Sequence, residues 1–134
     1  MIFVDTSAWI ASLLAGDKNA EAARRFQREL ARGSHGALIT TDYVLDEAAT
    51  LLRARGGIDA AAKFLDGVLA SPTLRLMWIG PDLFRAAVAV MAEGRDKRWS
   101  FTDCTSFALM RSLGISKAFA FDHNFEQAGF TRLP

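Results

Sequence analysis

The sequence has a single cysteine, no long apolar run and almost no excess of either charge, and each shortage removes a class of protein. Cys104 alone cannot close an internal disulfide, which suits a reducing compartment rather than a stapled secreted scaffold. The roughly 18 consecutive apolar residues that a bilayer span requires are nowhere reached, because Arg, Asp or Gly cuts the longer segments. Met1-Ile2-Phe3-Val4-Asp5 lacks the basic region and long apolar stretch of a signal peptide. Export is therefore not expected, and the cytoplasm is the expected location. A net charge of +1 lacks the basic excess of proteins that grip nucleic acid mainly by neutralising phosphates. Gly-rich phosphate loops, zinc-ligand spacings and G-x-S-x-G elbows are missing. Only His35 and His123 are available to activate Cys104, so a small buried helix residue is the better reading of that thiol. Repeats, linkers and low-complexity segments are absent too. What remains, 134 residues that are 51% hydrophobic and 23% charged, fits one globular domain over residues 1–134.

Along that domain, short β-like runs alternate with amphipathic stretches. Strands are expected at Ile2 to Val4, Ala37 to Thr40, Leu74 to Ile79 and Ala118 to Phe121. Helices are expected at Thr6 to Leu14, Asn19 to Arg32, Asp42 to Arg55, Ile58 to Ala70, Asp82 to Glu93 and Thr102 to Leu113. A short helical turn then leads into the tail. Such alternation predicts an α/β fold, a three-layer α/β/α sandwich around a mainly parallel sheet. In folds of this kind ligands collect beyond the carboxyl ends of the strands.

Asp5 and Asp122 each directly follow an expected strand and would project from that edge. Glu47 falls at the border of the apolar arc of its helix, three residues from Val44 and four from Tyr43 and Leu51, whereas Asp46 lies on the polar stripe. Asp103 shares a helical stripe with Phe107 and Met110. Capping alone accounts for several of these acids singly: Asp5 and Asp122 as N-caps, and Asp103 as the acidic half of a capping box opened by Ser100. Capping does not account for their joint placement. Two like charges about 4 Å apart repel by ~1 kcal/mol in water and ~4 kcal/mol at an effective dielectric of 20. A gathering of three or four carboxylates therefore calls for a hard divalent cation, Mg²⁺ or Mn²⁺, and so for metal-assisted phosphodiester chemistry.

Around these acids the other candidates are secondary. Arg24, Arg25, Arg28 and Arg32 share a helix with Glu21 and Glu29 and read as a solvated face. Arg95, Lys97, Arg98 and Trp99 fill an expected loop before Asp103, which reads either as a plain surface turn or as a place where Arg98 and Trp99 hold a phosphate backbone and stack a base. His123, next to Asp122, reads as a loop histidine or as a group that reaches a phosphate or leaving group, and Thr6 as a water-positioning or N1 helix residue.

Taken in order, Asp5-Thr6-Ser7, Glu47 in the helix after Thr41-Asp42, Ser100-Phe101-Thr102-Asp103-Cys104-Thr105-Ser106-Phe107, and Ala120-Phe121-Asp122-His123-Asn124-Phe125 up to Gly129 and Leu133-Pro134 resemble a PIN-domain ribonuclease. More narrowly, they resemble the VapC toxins of VapBC toxin–antitoxin pairs. The resemblance covers the whole chain. It implies a parallel-sheet α/β/α fold, a Mg²⁺- or Mn²⁺-dependent endoribonuclease acting on RNA, a homodimer, and a cognate VapB-type antitoxin that blocks the site. It also implies that Asp5, Glu47, Asp103 and Asp122 are the catalytic and metal-binding quartet. Ala120 departs from it, since many relatives carry a hydroxyl two residues before the last Asp. Two rival functions remain open at this stage. One is a non-catalytic PIN-like binding module; the other is a phosphatase or phosphotransferase with Asp5 as nucleophile, against which Ser7 stands where a second acid would be needed.

Overall fold

The computed structural model describes all residues, Met1 to Pro134. Five strands form one sheet: β1 (Ile2–Val4), β2 (Leu38–Thr41), β3 (Leu74–Met77), β4 (Lys117–Phe119) and β5 (Thr131–Leu133), in the order β3-β2-β1-β4-β5. All four neighbouring pairs are parallel. The helices are α1 (Thr6–Leu13), α2 (Ala20–Ala31), α3 (Asp42–Gly56), α4 (Ile58–Ala70), α5 (Pro81–Glu93), α6 (Phe101–Leu113) and α7 (Asn124–Gln127).

Strand alternation sorts the layers. Successive side chains of a strand point to opposite faces, so the all-apolar Ile2-Phe3-Val4 is buried on both sides. Ile2 and Val4 pack with Ala8, Ala11, Ala23 and Phe26 of α1 and α2. Phe3 packs the other way, among residues of α5, α6 and α7 such as Ala87, Phe107 and Phe125. A third cluster joins α1, α3 and α4 through Ile10, Leu45, Leu52 and Phe64. The expected α/β/α sandwich is thus the observed architecture.

Several ends differ from the sequence expectation, each for a local reason. The strand expected to run to Ile79 stops at Met77, because the Ile79 N–H donates to Asp42 Oδ1 at 2.9 Å and Trp78 turns out to solvent. The strand expected to reach Phe121 stops at Phe119, and the Phe121 N–H donates to Ser7 Oγ at 2.9 Å. Strand β2 runs one residue further than expected, to Thr41, whose hydroxyl then caps α3 by accepting from the Val44 N–H. The tail contains an unexpected edge strand, β5, whose Thr-Arg-Leu sequence offers no apolar run to reveal it.

Because every strand is parallel, all five carboxyl ends lie on one edge. From β1 the chain steps outward through β2 to β3, then returns to place β4 on the other side of β1. The crevice between β1 and β4 is therefore the topological switch point, and Asp5 and Asp122 lie just beyond those two strands.

Candidate active site

Asp5 leaves β1 in an extended conformation and caps α1. Its Oδ2 accepts from the Ser7 N–H at 3.0 Å and from Ser7 Oγ at 2.6 Å, which leaves Oδ1 without a hydrogen-bond partner in the chain. Only 4% of the residue is exposed. Burial is the main force that pushes its carboxyl up to about 7; the Ser7 bonds oppose the shift and the Asp103 charge adds to it.

Asp103 occupies the third position of α6, within a complete capping box with Ser100. Its Oδ2 accepts from the Ser100 N–H at 3.0 Å and from Asn124 Nδ2 at 2.9 Å. The capping role is therefore observed, and it is compatible with a place in the site: one oxygen serves the helix end, and the residue also lines the cavity. Burial raises its carboxyl first; the Ser100 and Asn124 bonds lower it, and the charges of Asp122 and Glu47 raise it again. Those couplings tie the acids electrostatically.

Asp122 ends the segment after β4. Its Oδ1 accepts from the Asn124 N–H at 2.9 Å and its Oδ2 from Asn124 Nδ2 at 3.2 Å, so that one amide clamps two carboxylates. Glu47 is half-buried on α3, while Asp46 beside it is exposed, as helical geometry predicts. Asp5, Glu47, Asp103 and Asp122 all line one cavity of about 320 Å³. Asp17, Lys18 and Arg55 complete its charged wall, and Thr6 lies inside with a buried hydroxyl that finds no hydrogen-bond partner. No three acidic, His or Cys side chains stand close enough to enclose an ion by direct contact alone. Three larger cavities, of about 380, 510 and 640 Å³, lie elsewhere and have no carboxylate in their walls.

The other candidates fall outside that cavity. Trp99 packs its indole on Phe107 at 5.2 Å and donates from Nε1 to Gln127 Oε1 at 3.2 Å. Its ring fills the space beside Gly94, where an added Cβ would lie 2.4 Å from it. That half-buried ring is committed to the protein. Arg98 is exposed, and His123 turns to Glu126 at 2.8 Å. Cys104 is fully buried in the core, where burial also raises its thiol.

Sequence reasoning missed Ser7, Asn124, Lys18 and Arg55. The first two had a readable signal, since Asp-x-Ser and Asp-x-Asn are turn-forming spacings, and Ser7 and Asn124 each bind the Asp two residues earlier. Ser7 also ties α1 to the end of β4, so a hydroxyl reaches that strand end even though Ala120 itself is apolar and fully buried. Lys18 and Arg55 had no local signal.

The family model for the PIN domain matches residues 2–131. The 23S rRNA-specific endonuclease VapC20 of Mycobacterium tuberculosis is 38% identical over 133 residues, which is 99% of this chain and 98% of that protein. A VapC ribonuclease of Archaeoglobus fulgidus is 32% identical over 94 residues, 69% of this chain and 58% of that protein. The crystal structure of VapC20, described as a sarcin–ricin loop cleaving toxin, superposes with a TM-score of 0.88 at 37% identity, covering 98% of this chain and 97% of that one. FitAcB from Neisseria gonorrhoeae shares the fold, with a TM-score of 0.69 at 12% identity over 100% of this chain and 97% of that one.

Proposed function

This chain belongs to the PIN-domain family, and from that premise we propose that it is a divalent-metal-dependent endoribonuclease, the toxin of a toxin–antitoxin pair, that cuts 23S rRNA at the sarcin–ricin loop. The observation that carries this reading is the meeting of Asp5, Glu47, Asp103 and Asp122, from four separate segments, in one cavity at the switch point. Identity of 38% to VapC20 over nearly the whole of both chains supports the substrate.

The donor set fits a hard cation. All four groups are carboxylates, the two most buried have raised affinities for protons, and Thr6, whose buried hydroxyl has no hydrogen-bond partner, lines the same cavity. Asp5, Asp103, Glu47 and Asp122 would hold Mg²⁺ or Mn²⁺ partly through water, since no three of them enclose an ion unaided and Mg²⁺ keeps several waters. When bound, such an ion activates water and offsets charge building on the phosphate. The chain's own contributions are positional. Ser7 holds Asp5 by Oδ2 and leaves Oδ1 without a partner in the chain, and Asn124 bridges Asp103 and Asp122. Burial, which pushes the Asp5 carboxyl up to about 7, favours its protonated form, so a cation held there would compete with that proton.

The same proposal includes a homodimer, a VapB-type antitoxin and a cytoplasmic location. An exposed apolar strip, Phe84, Val88 and Met91 on α5 with Trp78 beyond β3, supports a second copy. The large apolar cavity lined by Trp9, Leu13, Phe64 and Val68 supports a partner segment. No helix is long and apolar enough to cross a membrane.

Purified protein incubated with ribosomal RNA tests the reading. Cleavage is expected at one position in 23S rRNA, lost with EDTA, restored by Mn²⁺, and reduced by at least about a hundredfold in Asp5→Asn and Asp103→Asn. Cleavage that survives chelation, or survives either substitution, would overturn it; cuts mapping outside 23S rRNA would remove the substrate assignment.

A further inference from the structure

Lys18 and Arg55 are two of the chain's 16 lysines and arginines, and no other member of that set lines the acidic cavity. They stand against as many as five carboxylates in its wall, those of Asp5, Asp17, Glu47, Asp103 and Asp122. Neither cation takes part in any of the molecule's five ion pairs. Both are exposed, with their charges free to meet a ligand.

Their supports are well held. Glu47, Leu51 and Arg55 repeat every four residues along α3, so one stripe of this helix faces the cavity. Eight residues of α-helix rise ~12 Å, which places Arg55 two turns out from Glu47 toward the rim. Lys18 sits in the turn between α1 and α2, which is fixed by the Asn19 N–H donating to Asp17 Oδ1 at 2.8 Å and the Ala20 N–H to the Asp17 carbonyl at 3.0 Å. The two supports touch: a Cβ on Gly56 would lie 3.2 Å from Leu14 Cδ2. Lys18 and Arg55 thus form one cationic lip on an acidic basin.

We propose that this lip binds RNA phosphates that flank the one being cut, and so sets the register of the strand across the carboxylates. The inference rests on the ribonuclease reading. A polyanion approaching several carboxylates is repelled, and one divalent ion offsets only part of their charge. A positive lip beside the acids supplies the remaining attraction at the strand's point of entry. Arg55 can grip a phosphate with two N–H groups, while Lys18 offers a mobile point charge. Trp99 and His123 lie outside that cavity, Trp99 bonded to Gln127 and His123 to Glu126.

The test measures salt dependence of binding and, separately, turnover. A fluorescein-labelled hairpin carrying the sarcin–ricin loop is titrated by anisotropy in EDTA with wild type, Lys18→Gln, Arg55→Gln, the double variant and Arg24→Gln, an exposed α2 residue outside the cavity. Each lip substitution is expected to lower the slope of log affinity against log salt by about 0.7 to 0.9, and the double variant by about twice that, with Arg24→Gln unchanged. In Mg²⁺, each single variant should raise KM by about threefold to tenfold and change kcat by less than about twofold. A double variant with wild-type slope and KM overturns the inference while leaving the ribonuclease reading intact. Wild type that binds with these slopes but cleaves no RNA in Mg²⁺ or Mn²⁺ overturns the ribonuclease reading and leaves the lip as an RNA-binding site. Unchanged RNA binding with lost affinity for an acidic antitoxin peptide would also overturn the inference.

Discussion

At the scale of single residues, the acids are defined by the asymmetry between their two oxygens. Asp5 and Asp103 each commit Oδ2 to local donors, Ser7 in one case and Ser100 with Asn124 in the other. The cost of burying the charge then appears as a raised affinity for protons. For Asp5 the sign follows directly. Its folded value, about 7, exceeds the ordinary carboxylate value, so between those limits the folded chain binds more protons than the unfolded one. Stability without a cation should therefore fall as pH rises through that window. Thermal melts in EDTA should show Asp5→Asn gaining on wild type from pH 5 to pH 8, by at most ~1.4 kcal/mol per pH unit. A difference that stays flat across this range would mean that Asp5 is not held in a desolvated setting.

At the scale of elements, three of the four acids, Asp5, Glu47 and Asp103, are placed by a terminus that the sequence announces. The run Ile2-Phe3-Val4 ending in Asp5, the Thr41 cap before α3 and the Ser100–Asp103 box before α6 all depend on neighbours in the chain. They were legible for that reason. Strand β5 was not, because its pairing with β4 supplies what Thr-Arg-Leu lacks locally. The packing of Trp99 could not be read for a similar reason: its partners, Gly94, Phe107 and Gln127, come from three different segments. This packing makes a definite forecast. Gly94→Ala puts a Cβ 2.4 Å from the indole, and such overpacking typically costs ~1–3 kcal/mol. Chemical denaturation should show that loss together with altered tryptophan fluorescence; an unchanged midpoint would mean that the indole is free to move.

At the scale of the whole molecule, a fully parallel sheet gathers what the chain scatters. Asp5 and Asp122 are 117 positions apart and flank the same crevice, because β4 returns beside β1. Their separate positions could be read from the sequence, and the shared edge followed from the expected parallel sheet. The cationic lip could not be read, because Lys18 and Arg55 come to the same cavity only through the packing of the chain. The site is also looser than a preformed metal cage, with no three ligands converging unaided. On this account a cation completes the site and stabilises the folded chain, by ~2.7 kcal/mol at a hundredfold excess over its Kd.

Calorimetric titration of Mn²⁺ into the chain at pH 8 and pH 6 tests that claim most directly. The account predicts saturable binding at pH 8, weaker binding with greater proton release at pH 6, and affinity at least about tenfold lower in Asp103→Asn. Absence of saturable binding at either pH, or equal affinity in wild type and Asp103→Asn, would contradict it.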